Sequence, residues 1–213
     1  MSRKEMRQNN EYTMLHFLKD PPNICSLAGL LSAILGIYFS VTGRFYYALI
    51  GVLWSVVFDW ADGIIARSLK NRDEYHRAIG AQLDSLIDIV SFGVFPAVFL
   101  LSYGRFSPWF VPGAFLIAGG AALRLSYFNV FGMIDKNTYR GLALDNNIII
   151  LSFLFIFERF FPHHVFSAFI YAVLLLLLAF NLAPVRTYKF GTKWFYALGA
   201  YAGAVSVYFA VMQ

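Results

Sequence analysis

After Pro22, long apolar stretches follow one another almost to the last residue, separated only by short polar segments. A helix that crosses a bilayer needs about 20 mostly apolar residues, because each backbone amide and carbonyl must be bonded within the segment. Seven stretches fit that requirement: Ile24–Val41, Tyr46–Ala66, Ile79–Ser102, Trp109–Phe128, Asn147–Phe161, Val165–Ala183 and Trp194–Val211. Charged residues make up 14% of the chain and hydrophobic ones 59%, whereas soluble domains carry about a quarter charged. The expected fold is an all-α polytopic membrane protein with six to seven transmembrane helices, forming a single domain over residues 21–213.

Residues 1–20 lack the apolar stretch and small-residue cleavage site of a secretory signal. Met14, Leu15, Phe17 and Leu18 cluster among polar neighbours, so this segment is expected to be an amphipathic N-terminal helix on the membrane surface. Lys and Arg alternate between rich and poor segments along the chain. Arg3, Lys4, Arg7 and Lys19 precede the first span, and Arg67, Lys70, Arg72 and Arg77 separate the second from the third. Arg44 stands alone between those two groups, and Arg105 stands alone after the third span. Cationic loops face the cytoplasm, which predicts a cytoplasmic N-terminus, a cytoplasmic loop between spans two and three, and residence in the cell (inner) membrane. Net charge +5 then reflects orientation and anionic head groups. No basic stripe interleaved with aromatics points to nucleic acid. Cys25 reads as a small packed hydrophobe.

Four aspartates stand out against this apolar background. Asp59 and Asp62 close the second span in FDWADGIIAR, and Asp84 and Asp88 open the third in GAQLDSLIDIVSFG. A carboxylate at mid-membrane costs about 2.5–3.5 kcal/mol on insertion scales, so each needs a partner. Helical offsets of three and four put Asp59, Asp62, Gly63 and Ala66 on one stripe, and Gly80, Asp84 and Asp88 on another. Antiparallel spans joined by a short loop bring the stripes together, and small residues permit close approach. Converging carboxylates call for a cation, and oxygen ligands without His or Cys select Mg²⁺, Mn²⁺ or Ca²⁺. A cation transporter and an intramembrane aspartyl hydrolase are the rival readings of acidic residues within a membrane.

At these residues the chain resembles the CDP-alcohol phosphotransferase family, whose signature is DxxDGxxAR, a variable gap, then GxxxDxxxD. It reads Asp59, Asp62-Gly63, Ala66-Arg67, Gly80, Asp84 and Asp88, complete at every fixed position. The Pro22-Asn23 opening of the first span and the chain length are similar to that family as well. The resemblance implies phosphoryl transfer from a CDP-linked lipid such as CDP-diacylglycerol to an alcohol, with Mg²⁺ or Mn²⁺, two ions, neutralising the pyrophosphate. Carried over, Asp59, Asp62, Asp84 and Asp88 are metal ligands, and Asp88 is also the general base. Asn23, Asp62, Gly63, Ala66, Arg67 and Gly80 meet or make room for CDP. A homodimer is implied by the same resemblance.

The acceptor is read from the rest of the chain. LDSLIDIVSFGVFPA and RLSYFNV look most like membrane-embedded phosphatidylserine synthases, pointing to L-serine. The twelve residues between Arg67 and Gly80, and the APVR string, look somewhat like phosphatidylcholine synthases, which keeps choline open alongside inositol phosphate and glycerol phosphate. Serine requires a cation for its carboxylate, and choline an aromatic cage. Arg124, Arg140, Asp145 and Arg186 are the acceptor-binding candidates, with Tyr127 and Tyr139 as cage candidates.

Overall fold

The computed structural model describes residues 13–70, 72–135, 138–188, 191 and 193–212. Its helices are α1 (Pro21–Val41), α2 (Phe45–Ser68), α3 (Glu74–Asp88), α4 (Phe95–Tyr103), α5 (Val111–Phe131), α6 (Asp145–Phe155), α7 (His163–Leu182) and α8 (Lys193–Met212). A π-helical segment, Ile89–Val94, joins α3 to α4 into one rod from Glu74 to Tyr103. Counting that rod as one, six helices among the described residues are long and apolar enough to cross a membrane. Outward-facing Trp109, Phe115, Tyr196 and Val211 are each about three-quarters exposed or more, as lipid contact requires. The chain is a multi-pass membrane protein.

The fifth expected span, Asn147–Phe161, differs from the structure. Its helix α6 starts at Asp145 and ends at Phe155, and a 3-10 turn, Glu158–Phe160, follows. Eleven residues rise only about 16 Å, short of the roughly 30 Å hydrocarbon. The helix still links both ends of the bundle because it begins inside, at Asp145, instead of at the surface. The N-terminal expectation also changes. Residues 1–12 lie outside the described residues, and Met14–Lys19 forms a 3-10 run in place of an α-helix. Pro21 disfavours helical geometry at the residue before it, and Asp20 is accordingly extended, at ψ 119°.

Helix α2 is the central post, with Leu49, Val52, Leu53 and Val56 fully buried against α1, α6 and α8. Where α1 crosses α2 the backbones nearly touch. A β-carbon added at Gly51 would lie 2.9 Å from Gly36 N, and one added at Gly36 would lie 2.9 Å from Ala48 O. Small residues are what allow such an approach in a membrane, where packing and not water exclusion drives association. Ser32 Oγ donates to Gly51 O at 2.7 Å across the same crossing.

Candidate active site

Asp59 sits near the end of α2, and Asp84 and Asp88 sit in the last turns of α3. These three offer carboxylate oxygens that lie within 4.8 Å of one another. Asp62, one turn beyond Asp59, is buried and turned toward α1, where it accepts a hydrogen bond from Ser26 Oγ. The stripes therefore meet as expected, with three carboxylates in the common group and the fourth beside it. Ser26 was not singled out from sequence, although a hydroxyl one turn after Asn23 in an apolar span was a signal.

The π-helical segment begins immediately after Asp88. Pro96 carries no amide hydrogen and cannot bond the carbonyl four residues back. The ladder widens ahead of it, and Phe95 N donates to Val90 O, five residues back. The extra residue re-phases the rod, so α3 can aim Asp84 and Asp88 at α2 while α4 turns Phe95 and Phe99 into the core.

A cavity of about 570 Å³ opens beside the carboxylates, lined by Asp59, Asp84, Asp88, Gly63 and Arg67 together with Arg124, Tyr139, Asp145 and Arg186. Two short strands, β1 (Thr138–Arg140) and β2 (Arg186–Tyr188), pair antiparallel beside it. They tie the α5–α6 connection to the α7–α8 connection and pair Tyr139 with Thr187, both of which line the cavity, as Arg186 does. Gly141, at φ +76°, follows β1, and a β-carbon there would lie 2.2 Å from Asn181 O. Asn181 donates to Leu142 O at 3.0 Å and exchanges hydrogen bonds with Asn147. This buried amide pair fixes the turn that carries Asp145, whose Oδ2 accepts from Trp60 Nε1 at 2.7 Å. Burial, together with the Asp145 and Asp59 charges, pushes the Tyr139 phenol up to about 12. Asn147, Asn181 and Trp60 were not read from sequence as site residues. Two asparagines within apolar spans were the available signal.

A family model described as CDP-alcohol phosphatidyltransferase matches residues 20–207, nearly the whole chain. The chain belongs to the CDP-alcohol phosphatidyltransferase family. Among curated relatives of this chain, an archaetidylserine synthase from Methanothermobacter thermautotrophicus is 34% identical over 134 residues, 62% of this chain and 55% of that protein. The CDP-diacylglycerol–serine O-phosphatidyltransferase of Saccharomyces cerevisiae is 38% identical over 121 residues, 54% of this chain and 41% of its own length. A protein of the same description from Methanocaldococcus jannaschii is 35% identical over 98 residues, 46% of this chain and 44% of that protein. The chain thus spans about half the length of the curated relatives it matches.

The family is metal-dependent in general, and the donor set fits. Asp59, Asp84 and Asp88 present only oxygen, with spacing suited to a shared cation and no His or Cys in the group. Other signature positions lie away from the cavity. Asn23 donates from Nδ2 to Phe17 O at 2.9 Å. A β-carbon at Gly80 would meet Arg72 Nη2 at 2.7 Å and Asn23 Oδ1 at 3.1 Å, so this glycine clears space for the Arg72 side chain. Arg72 in turn pairs with the buried Asp20 at 2.6 Å and donates to His76 O. Ala66 is half-buried and outside the cavity wall. Arg140 corrects an expectation: it is not on the cavity wall, and its guanidinium donates to Tyr127 OH at 2.9 Å and lies 5.8 Å from that ring's centre. Side chains alternate along a strand, so Tyr139 turns inward and Arg140 outward. Tyr127 is thereby engaged by Arg140 outside the cavity, which leaves Tyr139 as the aromatic cage candidate on the wall.

Proposed function

We propose that this protein transfers a phosphatidyl group from CDP-diacylglycerol to the hydroxyl of L-serine, releasing CMP. The observation that carries this reading is the convergence of Asp59, Asp84 and Asp88 on one cavity within a complete family signature. The names of the relatives, serine and archaetidylserine enzymes, support the acceptor. Asp59, Asp84 and Asp88, with Asp62 one turn along, would hold Mg²⁺ or Mn²⁺, which neutralises pyrophosphate charge and stabilises the departing CMP. Asp88 accepts the proton of the acceptor hydroxyl as its oxygen attacks phosphorus and the bond to the CMP oxygen breaks. Arg67 meets phosphate, and Gly63 leaves room beside it. Asn23, Ala66 and Gly80 are assigned to CDP by the family resemblance alone. Cationic residues gather at the acidic end, with Arg67, Lys70, Arg72, Arg77 and Arg186, against Arg44, Arg105 and Arg159 at the far end. This supports a cytoplasmic active site and N-terminus in the cell membrane. A homodimer belongs to the same proposal.

Purified protein in liposomes containing CDP-diacylglycerol is expected to release CMP on addition of serine and to form a lipid with the mass of phosphatidylserine. Ion flux without CMP release would sink the reading in favour of a transporter. Asp88→Asn is expected to retain CDP-lipid binding and to lose about 10²–10⁴ in turnover. Turnover within a few-fold of the parent would remove Asp88 from the base role.

A further inference from the structure

Arg124 enters the cavity from α5, and its Nε is buried without a hydrogen-bond partner among the described residues. Proteins seldom leave a buried charged donor unpaired, and a guanidinium that carries such a donor and also lines a cavity points to an anionic ligand. Asp145 lines the same cavity, held by Trp60 Nε1 and by the backbone amide and side-chain Nδ2 of Asn146. A carboxylate has about four acceptor positions, so these three bonds orient Asp145 and still leave capacity for a cationic donor. No direct ion pair joins Arg124 to Asp145, although each acts on the other's charge. The cavity therefore presents separated charges of both signs, with Asp88 on the same wall system.

We propose that Arg124 and Asp145 form a clamp for a zwitterion, Arg124 taking the α-carboxylate and Asp145 the α-ammonium of an amino-acid acceptor. The clamp rests on the phosphatidyl-transfer reading above and deepens it. It presents serine with one partner for each functional group: Arg124 for the carboxylate, Asp145 for the ammonium and Asp88 for the hydroxyl. Choline leaves Arg124 without an anion and brings a second cation toward it. A phosphorylated polyol brings two negative charges against Asp145. Discrimination comes from unpaired or repelled charge in a desolvated site, which rejects analogues more strongly than missing volume does.

Initial rates of CMP release in CDP-diacylglycerol liposomes test this with three acceptors: serine, ethanolamine (serine without the carboxylate) and 3-hydroxypropionate (serine without the ammonium). The parent protein is expected to prefer serine over both. Arg124→Gln is expected to lower the serine to ethanolamine ratio of kcat/KM at least tenfold, and Arg124→Lys to restore part of it. Asp145→Asn is expected to lower the serine to 3-hydroxypropionate ratio at least tenfold. In all three variants KM for CDP-diacylglycerol stays within about threefold, which separates lost recognition from misfolding. Rates that fall equally for all acceptors, leaving both ratios unchanged, overturn the clamp while the serine reading stands. CMP release to glycerol phosphate but not serine by the parent overturns the serine reading and the clamp together and leaves phosphatidyl transfer in place.

Discussion

Glu158 and the group Asp59, Asp84 and Asp88 are all carboxylates set among apolar helices, at opposite ends of the same bundle. Glu158 is satisfied by the protein itself: Tyr46 OH donates to Oε2 and Tyr103 OH to Oε1, each at 2.9 Å. Around it Phe99, Phe155, Phe166 and Phe209 pack edge to face, and the His163 ring lies 4.5 Å from that of Tyr103. At the acidic end the carboxylates face one another and a cavity, with charges of like sign gathered where a structural design would separate them. One end uses a carboxylate to lock α2, α4 and the α6–α7 connection together. The other gathers carboxylates side by side on a cavity wall. A carboxylate bridged by two phenols serves stability, and carboxylates gathered side by side on a cavity serve chemistry.

The largest expected effect breaks that comparison at the acidic end. Chelation, or Asp84→Asn, is expected to reduce CMP release by on the order of 10³ or more, with little change in the thermal unfolding midpoint of the unliganded protein. Mn²⁺ or Mg²⁺ should restore the chelated protein but not the variant. A large loss of stability in Asp84→Asn would make the acidic group structural and erase the contrast.

The intermediate effect lies at the far end. Glu158→Ala leaves two phenols without their acceptor and is expected to cost about 2–4 kcal/mol. The unfolding midpoint should drop by roughly 5–15 °C, while turnover at a permissive temperature stays within about twofold. A variant that unfolds normally but transfers poorly would tie Glu158 to the site.

The smallest effect sharpens the boundary of the chemistry. Because burial and the neighbouring Asp145 and Asp59 charges raise the Tyr139 phenol from 10.0 to about 12, it stays protonated, a neutral donor, throughout the ordinary working range. Raising the pH through 10 therefore leaves Tyr139 uncharged. Tyr139→Phe is expected to change the rate by less than about tenfold and to leave the pH–rate profile superimposable on the parent's up to that point. A limb near pH 10 that vanishes in the variant would show that Tyr139 titrates in the reaction.

The chemistry of the acidic end was legible in sequence because helical periodicity is local: Asp59 with Asp62, and Asp84 with Asp88, share a face by counting alone. The membrane class followed as directly, since a bilayer demands long apolar helices whatever their packing. The same counting set Asp62 beside Asp59 but could not know that Ser26, from another helix, would draw it toward α1. Gly80 carried a signature role near the nucleotide, yet its neighbours are Arg72 and Asn23, brought there by the fold of the N-terminal turn. Arg140 and Tyr139 are adjacent in sequence and part company only because a strand alternates its faces. Arg124 comes from α5, Asp145 from the start of α6 and Arg186 from β2, and the β1–β2 pairing and the Asn147–Asn181 amide bridge help to assemble them around one cavity. Sequence alone determined the spans and the acidic stripes, because both depend on repeats within single helices. Tertiary structure decided which carboxylates meet and what faces them, because those contacts join residues far apart in the chain.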